Sequence, residues 1–177
     1  MFCAVNAVNH ERVGKIALKL YEFNELRSTL VVPNFATQFD QYLYSTYLSY
    51  LPIDDFSYSM DTKEDFRGLF CEVLKSKEFG QFSVSTTKKG IVRGNHWHRT
   101  KVEKFLVVQG TALVSFRNLL DDSKTEYVVS GNKLHTIDVP PGYTHSIKNV
   151  GGTDLITLIW SNDIFNLQNP DTYFLEA

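Results

Sequence analysis

GIVRGNHWHRTKVEKFLVVQG, residues 90–110, decides how this chain is read. His96 and His98 stand two apart at what reads as a strand entry, and period two turns both side chains to one face. Glu103 follows, immediately before the strand KFLVVQ, and His145 comes after the turn Pro140-Pro141-Gly142. Three imidazoles and one carboxylate converging between strands would bind a divalent transition metal such as Zn, Fe, Mn or Ni. Such a site would leave coordination positions open for water or substrate. Taken alone, an H-x-H with a distant His and Glu is a weak signal, since unrelated surface histidines give the same pattern.

Outward from this stretch, the hydrophobic period is two from Leu69 onward. LFCEVLK, QFSVSTT, KFLVVQ, TALVSFR, TEYVVS, KLHTIDV, YTHSIKN and DLITLIW are short runs separated by turn residues such as Ser130-Gly131-Asn132 and Gly151-Gly152. Many short strands with frequent turns predict a mainly β sandwich or barrel. Upstream the period is helical. Val13, Ile16, Ala17, Leu20 and Phe23 form one stripe, and Phe39, Tyr42, Leu43, Tyr47 and Tyr50 form a second, ended by Pro52. Residues 53–68, rich in Asp and Ser, read as a connector, and 163–177 as a coil packed on the surface.

Composition narrows the function. The 177 residues are 43% hydrophobic and 21% charged, within the range of an ordinary globular chain. With 18 basic and 20 acidic residues the formal charge is -2, which argues against phosphate-neutralising nucleic-acid binding. Thirteen Phe and nine Tyr supply a large core. Only Cys3 and Cys71 are present, too few for a disulfide scaffold or a cysteine zinc finger. The opening MFCAVNAVNHER lacks a basic n-region, and no apolar run is long enough for a membrane span. A cytoplasmic protein with no membrane partner is expected.

The spacing around the histidines resembles the cupin superfamily. Gly90-x5-His96-x-His98-x4-Glu103-x6-Gly110 is similar to the first cupin motif, and Pro140-x-Gly142-x2-His145-x3-Asn149 to the second. One position departs: Leu134 stands where the second motif has a Gly, and the nearest glycine is Gly131. The resemblance implies a cupin jelly-roll barrel of short antiparallel strands after an N-terminal helical segment. It implies His96, His98, Glu103 and His145 as ligands of a divalent metal, Zn2+ foremost. His135 lies outside both motifs and reads as a strand residue, His10 has no context, and Trp97 points opposite its neighbours and reads as packing.

Longer runs narrow the resemblance. NHWHRTKVEKFLVVQG, VSGNKLHTIDVPPGYTHSIKNVG and NPDTYF resemble the C-terminal cupin domain of the CapF family of capsular polysaccharide synthesis enzymes. LYSTYLSYLPIDDFSY resembles that family's interdomain junction, and VGKIALKLYEFNELRSTLVVPNF the end of its short-chain dehydrogenase/reductase domain. The division that follows is 1–52 as a helical remnant of the reductase domain, 53–68 as connector and 69–177 as cupin domain. The chain then reads as the C-terminal part of a longer enzyme. No G-x-x-G-x-x-G stands near the start and no usable Y-x-x-x-K occurs, so no NAD(P) binding or reductase activity is expected.

The family resemblance implies a metal-dependent epimerase acting at C3 of a UDP-linked 4-keto-6-deoxy-N-acetylhexosamine, on the way to N-acetyl-L-fucosamine, and a homodimer. A proton beside a ketone is acidic because the anion spreads onto the oxygen, where a Lewis acid stabilises it. Lys101, Lys104 and Tyr143 flank the ligands and are the candidate acids or bases, the bland reading being solvated lysines and a lining tyrosine. Arg93, Arg99 and Arg117 are candidates for the diphosphate, or ordinary surface charges. Two other functions compete: an Fe(II) dioxygenase using the same ligand set, and a non-catalytic cupin that binds sugar nucleotide or supports dimerisation.

Overall fold

Alternation downstream of Leu69 is realised as antiparallel strands in a computed structural model describing residues 9–177. Residues 1–8, which hold Cys3 and most of the apolar opening, lie outside the described residues. The chain divides into two units, one ending at Ser59 and one running Met60–Ala177.

The first unit has two helices, α1 (Val13–Thr29) and α2 (Gln38–Ser49), and a 3-10 turn over Ile53–Phe56. Thr37 starts α2 with a reciprocal cap. Its hydroxyl accepts from the Asp40 N–H, and the Asp40 carboxylate accepts from the Thr37 N–H. Asp40 also pairs with Lys19 of α1 at 2.6 Å, which ties the helices together. Phe23 of the first expected stripe is buried, its ring edge-on to Tyr44 at 5.0 Å and tilted against Tyr47 at 5.7 Å, whereas Val13, Tyr42 and Tyr50 of the expected stripes are exposed.

The second unit is built of β1 (Thr62–Asp65), β2 (Gly68–Ser76), β3 (Gly80–Thr87), β4 (Val92–Trp97), β5 (Glu103–Gln109), β6 (Thr111–Asn118), β7 (Lys124–Ser130), β8 (Thr136–Val139), β9 (Tyr143–Asn149), β10 (Leu155–Ser161) and β11 (Tyr173–Phe174). They form a six-stranded sheet in the order β1-β2-β3-β10-β5-β8 and a five-stranded sheet in the order β11-β4-β9-β6-β7.

Two expectations are corrected here. The chain is a mixed α and β protein with two antiparallel sheets, and neither sheet closes into the expected jelly-roll barrel. Each ends on strands poorly suited to closure: β1 is the exposed, charged TKED, β8 has four residues, β11 has two, and most of β7 is exposed. The tail is also more than a surface coil. Tyr173 and Phe174 pair with Trp97 and His96 of β4.

An apolar core fills one part of the interior, with Phe105 and Val107 of β5, Ala112, Val114 and Phe116 of β6, Ile147 of β9 and Leu155 of β10. β3 inverts the usual rule. Its polar residues Gln81, Ser83, Ser85 and Thr87 are buried, whereas Phe82 is 44% exposed. A strand that turns its polar face inward faces a cavity rather than a packed core.

Candidate metal centre

His96 ends up beside His145 because β4 and β9 pair, with His96 opposite His145. A register shift between Gly94 and His96, with Asn95 at φ 58, sets the direction of the imidazole. Gly94 (φ 94) makes the approach possible, since a Cβ there would lie 2.7 Å from the His145 carbonyl oxygen. Glu103 begins β5 on the facing sheet.

Ligand atoms of His96, His98, Glu103 and His145 all lie within 4.8 Å of one another. His98 and His145 are 2% and 1% exposed. The Glu103 carboxylate oxygen Oε2 stands 3.4 Å from both His98 Nε2 and His145 Nε2. That separation lies beyond a good hydrogen bond and close to the spacing of two donors each about 2.1 Å from a shared ion. His98 Nε2 and both ring nitrogens of His145 have no hydrogen-bond partner among the described residues. Buried ring nitrogens left without partners around one carboxylate fit a divalent metal.

Charge state favours the same use. Burial, then the neighbouring His145, pushes His96 down to about 4, so its ring is neutral near pH 7. Burial pushes the Glu103 carboxyl up, but His145 and His98 outweigh it and hold the group below the usual carboxylate range. The site therefore presents a neutral His96 ring and an ionised Glu103 carboxylate, the forms that bind metal.

A second layer of contacts comes from the tail. His98 Nδ1 lies 2.6 Å from the Asp171 carbonyl oxygen, which makes Nδ1 the donor and turns the Nε2 lone pair to the centre. The Asp171 carboxylate accepts from the backbone N–H groups of Arg99, Thr100 and Lys101, each at 2.9 Å. These bonds outweigh the burial that would raise its pKa and hold the carboxyl below its ordinary range. Asp171 sits at φ 42, a left-handed conformation that Asp tolerates better than most residues.

The centre opens into a cavity of about 400 Å³, bordered by His96, Glu103 and His145 and by Arg93, Arg67 and Lys63. Arg93 of β4 bridges the two sheets, donating to Thr87 Oγ1 at 3.2 Å and to the Thr86 carbonyl at 3.1 Å. Burial and the Arg67 guanidinium lower its pKa from the ordinary value, yet arginine stays charged.

The other candidates are placed as follows. Lys101 borders the cavity and is 7% exposed, with Nζ donating to the Pro170 carbonyl and Thr172 Oγ1. Lys104 pairs with Asp138 on the opposite face of its sheet. Tyr143 packs on the apolar core and its hydroxyl lies 3.5 Å from Asn118 Nδ2. Arg99 stands over the Tyr173 ring, and Arg117 binds Asp122. Trp97 stacks on Tyr173 at 4.6 Å, and His135 is exposed. Reading the sequence missed Asp171, Arg67 and Lys63. Asp171 stands in the run NPDTYF, where it carries the family resemblance, and nothing local ties it to His98 across 73 positions.

Comparison with known proteins agrees with this architecture. The profile of the family described as polysaccharide biosynthesis C-terminal domain matches residues 63–173. The chain is 44% identical over 161 residues to UDP-2-acetamido-2,6-beta-L-arabino-hexul-4-ose reductase of Pseudomonas aeruginosa, covering 91% of this chain and 43% of that protein. It superposes on the capsular polysaccharide assembling protein CapF of Staphylococcus aureus with a TM-score of 0.91 at 50% identity, covering 93% of this chain and 45% of CapF. A structure of CapF with the inhibitor 3-isopropenyl-tropolone matches with a TM-score of 0.90 at 50% identity, covering 93% of this chain and 48% of that one. The chain thus spans less than half the length of these relatives. Among the described residues, no helix is long and apolar enough to cross a membrane.

Proposed function

This chain belongs to the polysaccharide biosynthesis C-terminal domain family, and from that premise we propose that it is a metal-dependent epimerase acting at C3 of a UDP-linked 4-keto-6-deoxy-N-acetylhexosamine. The observation that carries the reading is the convergence of His96, His98, Glu103 and His145 at a cavity that also holds Arg93. His96, His98, Glu103 and His145 would hold the ion, with Zn2+ the proposed occupant. When bound, a divalent cation supplies Lewis-acid stabilisation for negative charge developing on a ketone oxygen. The chain's own residues do the rest. Arg93, fixed through Thr86 and Thr87, pairs with the diphosphate, a group that guanidinium binds through parallel hydrogen bonds. Lys101 borders the cavity and is the candidate proton carrier, at Nζ. Inversion at C3 requires that a proton leave one face of the carbon and that one return to the other. The proposal includes a cytoplasmic homodimer without a nicotinamide cofactor.

A non-catalytic sugar-nucleotide-binding role is the second reading. It is favoured by the engagement of Lys101 Nζ with Pro170 and Thr172 and by the placement of Lys104 and Tyr143 in other contacts. Proton–deuterium exchange at C3 of the 4-keto sugar nucleotide in D2O, followed by NMR with and without a chelator, separates the two. Chelator-sensitive exchange supports the epimerase. Absence of exchange in a folded, zinc-loaded sample that binds the sugar nucleotide leaves the binding role.

A further inference from the structure

Ser85 and Thr157 face each other across the β3–β10 pairing. Each is 2% exposed, and both border the cavity that holds the metal ligands. Neither hydroxyl has a hydrogen-bond partner among the described residues. Buried hydroxyls normally find one, because leaving one unpaired is costly.

Their neighbours on β3 are satisfied on both sides. Gln81 donates to Ser83 Oγ and Glu72 Oε1, and Thr87 accepts from Arg93. The unpaired hydroxyls therefore occupy a gap between two self-contained hydrogen-bonded groups. The gap is offset from the metal centre. Ser161 pairs with Glu103, and Thr157 lies four residues back along β10, about 13 Å at the rise of a strand.

We infer that Ser85 and Thr157 are ligand-recognition residues, binding the neutral hydroxyl or amide groups of an elongated sugar nucleotide whose reacting end lies at the metal centre. The assignment rests on the sugar-nucleotide reading above and adds the residues that recognise the uncharged part of the ligand. Both hydroxyls can donate and accept, so they suit groups that do the same. Arg93 remains for the anionic part.

The test uses the full chain loaded with zinc and titrated calorimetrically with UDP-N-acetylglucosamine, a stable glycosyl nucleotide. Ser85→Ala and Thr157→Val each remove one hydroxyl at little cost in volume. Each is expected to weaken probe binding about 3- to 10-fold. Zinc affinity should be unchanged, and the Tm of the ligand-free variants equal to or above that of the parent. Unchanged probe affinity in both variants, with the parent binding, overturns the inference and leaves the sugar-nucleotide reading intact. A Tm lowered by several degrees in both overturns it too, by making the hydroxyls structural. A parent chain that binds zinc but not the probe sinks the sugar-nucleotide reading, and with it the ligand class assigned here.

Discussion

His98 Nδ1 and the main-chain carbonyl oxygen of Asp171 are 2.6 Å apart, joining a proposed metal ligand to the tail of the chain. A ring held this way keeps one tautomer and one orientation, which raises its value as a ligand. The Asp171 carboxylate reinforces the arrangement by gathering three successive backbone N–H groups just after His98.

Asp171→Ala keeps the carbonyl but removes that carboxylate. Zinc affinity is expected to fall up to about 10-fold, the low end of the cost of losing an outer-shell partner, because the partner carbonyl stays but loses its anchor. Competition with a chromophoric chelator measures it. Asp171→Asn, which retains one acceptor, should fall between the parent and the alanine variant. Equal zinc affinity in all three would refute the positioning role.

Gly94→Ala should damage fold and site together. The added Cβ would meet the His145 carbonyl oxygen at 2.7 Å, at a residue already at φ 94. A destabilisation of about 2 kcal/mol or more is expected. Thermal melts with and without zinc should show a lower Tm and a smaller zinc-dependent increment, since β4 carries His96 and β9 carries His145.

Metal-free stability should depend on pH in one direction. His96 is held at about 4 when folded, against about 6.5 unfolded, so the unfolded chain takes up that proton first. Its contribution is level above pH 6.5 and declines as pH falls toward 4, by roughly 3 kcal/mol in all. Glu103 and Asp171, held below the usual carboxylate range, add further loss as pH passes through that range. Melts across pH 4–8 in chelator should show a falling Tm below 6.5; a Tm that rises on acidification contradicts the assignment.

A small bidentate oxygen chelator such as tropolone offers a further probe. Adjacent ring oxygens of a tropolone chelate a divalent cation, and the centre here borders an accessible cavity. Tropolone is expected to bind the zinc-loaded chain and to lose at least 10-fold in affinity for His145→Ala. Titration calorimetry on both proteins checks this, and equal binding to the two places the compound elsewhere.

Much of this site can be read from spacing, because His96, His98 and Glu103 lie within one strand–turn–strand stretch and His145 in a second. Local periodicity also marks the two helices and most strands. What it cannot mark is pairing between distant segments. β11 has two residues, too few to show a period, yet it pairs with β4. The closed barrel is what the cupin resemblance implies; short alternating runs announce sheets alone, and closure depends on the edge strands. QFSVSTT was visible as a strand, but which of its faces points inward depends on the cavity, which local pattern does not contain.

The tail's hold on His98 also makes ion occupancy and tail docking one equilibrium. If zinc favours the docked tail by some factor, the docked tail favours zinc by the same factor. Protease cutting within the tail segment around Asp171 would then act as a gauge of free zinc, slow when the ion is abundant and fast when it is scarce. The segment around Asp171 would be a reporter for a site it does not itself ligate.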